Sequence, residues 1–191
     1  MKEQEDISLP ALSRRGFLKF GAAAMLAASV PAQALAALAP SAERKLSFYH
    51  LHTGEKLSAV YWADGAYQQD SLSEIYHLLR DFRAGTVSPI DTDLLDLLHT
   101  LSVKLDTTAQ FHVISGYRSP NTNAMLAKSS RGVAKHSLHM DGLAIDIRLP
   151  GRDLSAVHRA ALSLKGGGVG YYPVSDFVHV DVGRVRQWRG S

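Results

Sequence analysis

The sequence predicts one α+β domain in which a small, mainly antiparallel sheet is flanked by helices. Segments with a helical spacing of apolar residues alternate irregularly with short strand-like segments, unlike the regular strand–helix repeat of a parallel α/β fold. The 191 residues, 46% of them hydrophobic, suffice for one packed core and are few for two. We expect this domain to span residues 46–191, after a flexible lead at residues 37–45.

The first half of the domain predicts a hairpin followed by two helices. Residues 46–52 and 57–62 have strand-like patterns, with a Thr-Gly-Glu turn between them. From Asp70 or its neighbour Ser71 the apolar spacing becomes helical, and this stripe continues to Phe82. Asp91 then predicts the cap of a second helix.

The second half predicts four strands and two helices. Pro120 suits the first position of a helix, and Asp153 or Ser155 is expected to cap another helix that ends at Leu164. The predicted strands are residues 111–115, 143–149, 169–172 and 177–182.

Residues 1–36 predict an export signal. A basic segment precedes an apolar, alanine-rich stretch at residues 20–30, and small residues follow. The segment Ser-Arg-Arg-Gly-Phe-Leu-Lys at 13–19 resembles the twin-arginine signal, which implies export of the folded protein by the twin-arginine machinery to the bacterial periplasm. Pro31 interrupts the apolar run, which is shorter than the ~20 residues of a membrane span. We expect no stable span after cleavage; an uncleaved signal acting as an anchor is the alternative.

Composition excludes several kinds of chemistry. The chain has no cysteine, so disulfides, thiolate metal sites and cysteine nucleophiles are excluded, and any metal must be held by histidine and carboxylate. Its 21 Lys and Arg against 18 Asp and Glu leave a net charge of only +3. No basic cluster with interleaved aromatic residues is present, so we expect no nucleic-acid partner.

One constellation of polar residues lies within predicted strands. Gly142 permits a tight turn that folds His139 back towards Asp146, which lies among apolar strand residues, and His179 also lies inside a strand. A buried carboxylate is costly unless it is paired or bound to a cation. Two histidines and one aspartate with an open fourth position are the ligands typical of catalytic zinc. The same pattern also fits a structural His–Asp hydrogen bond.

The motifs around these residues resemble a known superfamily. Ser-x-His-x-x-Gly-x-Ala-x-Asp at 137–146, followed by Phe-Val-His-Val-Asp at 177–181, resembles the zinc D-Ala-D-Ala peptidases, a superfamily that includes the hedgehog signalling domain. Within it, the chain is most similar to twin-arginine-exported murein endopeptidases. That similarity rests on segments 51–55, 115–119, 130–135 and 167–173. The resemblance implies a hedgehog/D,D-peptidase-like fold.

The resemblance also implies roles for individual residues. It implies one Zn²⁺ per chain, held by His139, Asp146 and His179. It implies that Arg118 holds the substrate carbonyl and the developing oxyanion, which a guanidinium can stabilise. Ser137 matches the serine of the motif and is expected to bind substrate.

Two aspartates compete for the role of general base. Many members of the superfamily have a Glu or Asp three residues before the last histidine ligand, and Asp176 holds that position here. Asp181 shares a strand face with His179, so it either orients that ligand or serves as the base.

Other residues have two open interpretations. Tyr117, Tyr171 and Tyr172 either wall the substrate groove or belong to the core. His50 and His52 share one strand face, which fits an ordinary polar face or a metal site.

The predicted function is that of a periplasmic zinc endopeptidase that cuts peptidoglycan cross-links and so remodels the cell wall. The resemblance implies stem peptides as substrate, cut between D-Ala and meso-diaminopimelate, with the link between two diaminopimelates as a second bond. A D,D- or L,D-carboxypeptidase is one alternative. A non-catalytic, zinc-dependent wall-binding module is the other, and it is favoured if neither Asp176 nor Asp181 can act at the metal.

Overall fold

A computed structural model describes residues 43–129 and 133–190. The predicted export signal at residues 1–36 lies outside the described residues, as does most of the predicted lead. Within the described part of the chain, no helix has the length and apolar character needed to cross a bilayer.

The fold is α+β, as predicted. The strands are β1 (Arg44–His50), β2 (Lys56–Ala63), β3 (Ala66–Tyr67), β4 (Phe111–Ser115), β5 (Ala144–Arg148), β6 (Gly168–Tyr172), β7 (Phe177–Asp181) and β8 (Arg186–Arg189). The helices are α1 (Gln69–Leu78), α2 (Thr92–Lys104), α3 (Pro120–Ser129) and α4 (Leu154–Leu164), with a 3₁₀ turn at Leu138–Asp141.

The strands form a single mixed sheet in the order β3-β2-β1-β4-β5-β7-β6-β8. Neighbouring strands are antiparallel except for β1 with β4 and β6 with β8, which are parallel. The sheet is therefore mainly antiparallel, as expected, but larger than expected, because β3 and β8 extend its two edges.

The two faces of the sheet differ in character. On one face, apolar side chains of the central strands pack beneath α1, α2 and α4 and form the core. Phe48, Val113, Ile147 and Val178 lie on this face and are fully buried. Successive side chains point to opposite faces of a strand, so the residues between them, including Asp146 and His179, lie on the other face. That second face carries the polar residues of interest.

The structure corrects the predicted course of the first helix. α1 begins at Gln69 rather than after an Asp70 or Ser71 cap, and it ends at Leu78. Phe82 therefore lies beyond the helix, where its ring stacks on His52 with centroids 4.4 Å apart. The cap of α2 is confirmed, since the Asp91 carboxylate accepts a hydrogen bond from the Asp93 N–H at 2.8 Å.

Candidate metal centre and active site

A row of residues crosses four neighbouring strand pairs on the open face of the sheet. Ser115 of β4 pairs with Asp146 of β5, which pairs with His179 of β7. His179 in turn pairs with Gly170 of β6, which pairs with Trp188 of β8. Register places these residues side by side because paired residues point to the same face.

The turn before β5 brings His139 onto this row. His139 lies in the 3₁₀ turn, and Gly142 ends that turn with a left-handed φ of 70°. A Cβ atom at residue 142 would also collide with the carbonyl oxygen of Pro89. Glycine is required here for both reasons, and the reversal carries His139 back over Asp146, as the sequence predicts.

Three donor atoms converge at this point. The Nε2 of His139 lies 3.3 Å from the Oδ1 of Asp146 and 3.3 Å from the Nδ1 of His179. The Nδ1 of His179 lies 2.9 Å from the same Asp146 oxygen. All three residues are buried. Among residues 43–129 and 133–190, this trio is the one group of three or more donors placed to hold a metal ion.

The other nitrogen of each histidine is held by an acceptor. The Nδ1 of His139 lies 2.8 Å from the carbonyl oxygen of Gly116, which can only accept, so Nδ1 carries the proton. The Nε2 of His179 lies 3.1 Å from the Oδ2 of Asp181 and donates to it. Each histidine therefore directs its remaining ring nitrogen towards Asp146, and such outer hydrogen bonds are typical of histidines that bind metals.

Charge is concentrated around the trio. Burial opposes ionisation of Asp146, but the adjacent His139 and His179 outweigh it and hold the pKa of the carboxyl below its ordinary value. Burial lowers the pKa of His179, yet hydrogen bonds to Asp146 and Asp181 outweigh it and raise that pKa to about 9. Without a cation the site thus retains a proton between its carboxylates, which a metal ion would displace.

Arg118 lies beside the trio, as predicted. Its Nη2 is 3.8 Å from the Oδ2 of Asp146 and donates to the Ser115 hydroxyl at 3.3 Å. Its Nη1 donates to the Oδ1 of Asn123 at 3.3 Å, while the buried Nε has no hydrogen-bond partner among the described residues. The side chain is only 11% exposed. A guanidinium with spare donors therefore lies next to the donor trio.

Asn123 is a site residue that the sequence reading missed. Besides accepting from Arg118, it donates through Nδ2 to the carbonyl oxygens of Ala134 and Lys135 at 3.0 and 3.2 Å. Its side chain thereby joins α3, Arg118 and the segment that leads to His139. No sequence signal identified it, because an asparagine on a helix is ordinarily a solvated residue.

The structure does not bring Asp176 to the trio. Its carboxylate accepts a hydrogen bond from the Nη1 of Arg148 at 2.7 Å, is 58% exposed, and borders a different cleft that also involves His112. A left-handed φ of 54° at Asp176 accompanies this orientation. These contacts do not support Asp176 as the general base, because its carboxylate pairs with Arg148 and is not among the residues that line the cleft above the trio.

Asp181, the other candidate base, lies beside His179 and orients its ring. Its side chain is fully buried, and both oxygens are engaged by His179, Arg186 and the backbone N–H groups of Gly168 and Gly183. Burial raises its pKa, but these hydrogen bonds outweigh burial and hold the pKa below its ordinary value. Because it binds the edge of the His179 ring that faces away from the trio, Asp181 orients this histidine and does not reach the open side of the site.

A cleft of about 570 Å³ opens above the trio. Ser137, Tyr172, Phe177 and Trp188 line it. The rings of Tyr172 and Phe177 stack with centroids 4.3 Å apart, and the Trp188 Nε1 donates to the Tyr172 hydroxyl at 2.8 Å. Ser137 and Tyr172 are thus placed to contact a ligand.

Two of the predicted groove tyrosines lie elsewhere. Tyr117 and Tyr171 pack against the hydrophobic core, and the Tyr171 ring stacks on His158 at 4.7 Å. These contacts favour the core interpretation, and neither tyrosine is among the described residues that line the cleft above the trio. The difference between Tyr171 and Tyr172 follows from strand alternation, since neighbours on β6 point to opposite faces.

His50 and His52 form a packed pair. The Nδ1 of His50 accepts from the His52 N–H at 3.3 Å, and both rings contact Phe82. Burial lowers the pKa of His50 to about 4, so it is neutral. These contacts favour a packing role over a second metal site.

Two histidines and one aspartate beneath an open cleft, on the free face of an α+β sheet, are the donor set of a candidate metal centre. A family model described as peptidoglycan L,D-endopeptidase MepK, Peptidase_M15_2, matches residues 38–188. The chain belongs to this family.

Curated relatives agree with the family match over nearly the whole chain. "Peptidoglycan L,D-endopeptidase MepK" of Escherichia coli strain K12 is 44% identical over 176 residues, which are 92% of this chain and 97% of the relative. The protein of the same name from Shigella flexneri has the same identity and coverage. "Probable peptidoglycan L,D-endopeptidase MepK" of Haemophilus influenzae is 40% identical over 179 residues, 93% of this chain and 96% of the relative.

Proposed function

We propose that this enzyme is a zinc-dependent endopeptidase that hydrolyses L,D cross-links of peptidoglycan in the periplasm. The observation that carries the proposal is the convergence of the His139, Asp146 and His179 donor atoms, each histidine having its other nitrogen bound to an acceptor. Family membership supports the endopeptidase activity.

The donor set fits zinc. Two imidazole nitrogens and one carboxylate oxygen, with the open cleft on the remaining side, match the three protein ligands of catalytic zinc sites. When bound, zinc supplies a Lewis acid that polarises a carbonyl and lowers the pKa of water. A calcium site would need more carboxylates than the single Asp146 that lines the cleft.

The protein's own residues supply binding and charge stabilisation. Arg118 lines the cleft, and its Nη2 lies 3.8 Å from Asp146, so its guanidinium can stabilise negative charge on a carbonyl oxygen held over the trio. Asn123 and Ser115 hold the guanidinium by accepting from its two terminal nitrogens, Nη1 and Nη2. The hydroxyls of Ser137 and Tyr172 line the same cleft and are available to the substrate backbone.

The sequence predicts a non-catalytic binding module if neither Asp176 nor Asp181 can act at the metal. Asp176 points away and Asp181 is enclosed, which would favour the binding module. The match to a peptidase family over most of the chain outweighs that criterion. We therefore retain the endopeptidase and assign Asp181 to orientation of His179.

The L,D stereochemistry in the relatives' names distinguishes between the two candidate cross-links, diaminopimelate–diaminopimelate and D-Ala–diaminopimelate. The bond between two meso-diaminopimelates joins an L centre to a D centre, whereas the bond from D-Ala to diaminopimelate joins two D centres. Relatives named L,D-endopeptidases therefore favour the diaminopimelate–diaminopimelate bond as the substrate of this chain.

The test is product analysis on isolated sacculi that contain both kinds of cross-link. The zinc-loaded protein is expected to convert diaminopimelate-linked dimers to monomers without releasing single amino acids, and His139→Ala is expected to be inactive. Release of free amino acids with dimers intact would favour the carboxypeptidase. Binding to sacculi without any product would favour the wall-binding module, and an active His139→Ala would refute the proposed mechanism.

Periplasmic location is proposed from the segment at residues 13–19. Replacing both arginines, Arg14→Lys with Arg15→Lys, is expected to leave the protein in the cytoplasmic fraction of a bacterial host. A periplasmic fraction equal to that of the unaltered chain would contradict twin-arginine export.

A further inference from the structure

Strand β6 carries two glycines on the face that holds the donor trio. Gly170 lies between His179 of β7 and Trp188 of β8, and Gly168, two residues earlier, pairs with Arg186 of β8. Residues two apart on a strand share a face, so both glycines leave bare backbone between β7 and the edge strand β8.

Neither glycine position has room for a side chain. A Cβ atom at residue 168 would lie 2.7 Å from the Arg186 Cζ, and one at residue 170 would lie 2.6 Å from the Trp188 Cε2. The side chains of Arg186 and Trp188 therefore cross over β6 and reach β7. A glycine in a strand weakens it, and here the two glycines mark a close approach between neighbouring elements.

Arg186 reaches the buried carboxylate that holds His179. Its Nη1 donates to the Oδ1 of Asp181 at 3.0 Å and its Nη2 to the Oδ2 at 2.7 Å, a two-point contact that fixes the plane of the carboxylate. The Oδ2 atom is also the acceptor for the His179 Nε2. Trp188 contacts His179 directly, with ring centroids 5.1 Å apart, and the Arg186 guanidinium lies over the Trp188 ring.

We propose that Arg186 is a positioning residue for the metal centre: through Asp181 it holds the His179 ring with Nδ1 directed at the metal. This inference rests on the proposed zinc site. Without Arg186, the N–H groups of Gly168 and Gly183 still hold Oδ1 of Asp181, but Oδ2, the acceptor for His179, loses the charged donor that fixes it. Loss of outer hydrogen-bond partners typically weakens metal binding by about 10- to 100-fold.

The experiment measures zinc affinity of the full domain by competition with a chromophoric chelator. Arg186→Gln is expected to bind zinc about 10- to 100-fold more weakly than the unaltered protein. Arg186→Lys keeps the charge but not the two-point contact, so an intermediate loss is expected. Cobalt substitution adds a spectroscopic check, because a displaced His179 changes the visible absorption of the bound ion.

Arg189→Gln is the matched control. Arg189 is on the same strand, but its guanidinium lies over Tyr171, which belongs to the core and not to the cleft. Its zinc affinity and cobalt spectrum are expected to equal those of the unaltered protein. A purely structural role for Arg186 would lower the melting temperature without changing zinc affinity of the folded protein.

The outcomes are separable. Unchanged zinc affinity in a folded Arg186→Gln overturns the inference and leaves the proposed function intact. If that variant does not fold, Arg186→Lys decides: a zinc affinity below that of the unaltered protein supports the inference, and unaltered affinity overturns it. An unaltered protein that binds no zinc would instead refute the proposed function on which the inference rests.

Discussion

The two faces of the sheet are built on different principles. The face beneath α1, α2 and α4 is a continuous apolar core in which each side chain has many neighbours. On the open face, His139, Asp146 and His179 are held by single hydrogen bonds to Gly116, Asp181 and one another. Stability is thus spread over many contacts on one face, while the proposed chemistry depends on a few directed ones on the other. Substitutions on the two faces should therefore have separable effects.

The largest expected effect on stability comes from the covered face. Leu98 of α2 is fully buried in the core. Leu98→Ala should lower the free energy of unfolding by about 2–5 kcal/mol, through lost burial and the cavity left behind. The measurement is denaturant unfolding alongside endopeptidase assay. An equal loss of activity per folded molecule would contradict the separation of the two faces.

On the open face, a substitution of Arg118 should change activity much more than stability. Arg118→Gln removes the guanidinium beside the trio and should lower kcat by about 10²- to 10³-fold, as for loss of an oxyanion donor. KM and the unfolding free energy should change much less. Steady-state kinetics on a cross-linked dimer check this. A change confined to KM would make Arg118 a substrate-binding residue without a role in stabilising the oxyanion.

Asp81 holds the segment that follows Arg118 in the chain. Its buried carboxylate accepts from the Ser119 N–H and hydroxyl, next to Arg118 in the chain, and from the N–H groups of Arg83 and Ala84. Burial raises its pKa, but these hydrogen bonds outweigh burial and lower the pKa of Asp81 to about 2.

The sign of the Asp81 effect follows from a folded-state pKa below the unfolded value. The contribution, about 2 kcal/mol, is fully present above about pH 4 and is lost as pH falls through 2. Urea unfolding between pH 5 and 2 should show this decline, and Asp81→Asn should lack this part of it. Identical pH dependence in the two proteins would contradict the assignment.

The smallest effect is expected at Asp176. Asp176→Asn removes an exposed partner of Arg148 that lies away from the trio. Exposed ion pairs contribute about 0–1 kcal/mol, so stability and kcat should both stay close to those of the unaltered protein. A loss of kcat comparable to that of Arg118→Gln would restore Asp176 as the general base.

Asp176 and Asp181 also show how far the sequence can predict the site. Asp181 is two residues after His179, an even spacing that places both on one strand face. Asp176 is three residues before His179, an odd spacing, and it precedes β7 in a left-handed conformation that no pattern signals. Strand alternation thus placed Asp181 beside His179 but left its role open between orientation and base, while the base role of Asp176 came from the family resemblance alone.

The same contrast holds for the rest of the fold. The convergence of His139 on Asp146 was predictable because a glycine turn and a buried strand are local features. Strand β8 was not predictable from the sequence, because Arg-Gln-Trp-Arg has no apolar alternation. It forms a strand only by pairing with β6. Arg186 and Asn123 act over distances in sequence that local patterns do not cover.

The most direct test of the central claim is a zinc titration of the metal-free protein, followed by cleavage of a diaminopimelate-linked muropeptide dimer. Cleavage should rise from zero and saturate at one zinc per chain, and His139→Ala should remain inactive throughout the titration. Cleavage without metal, or saturation unaffected by His139→Ala, would contradict a zinc centre built from His139, Asp146 and His179.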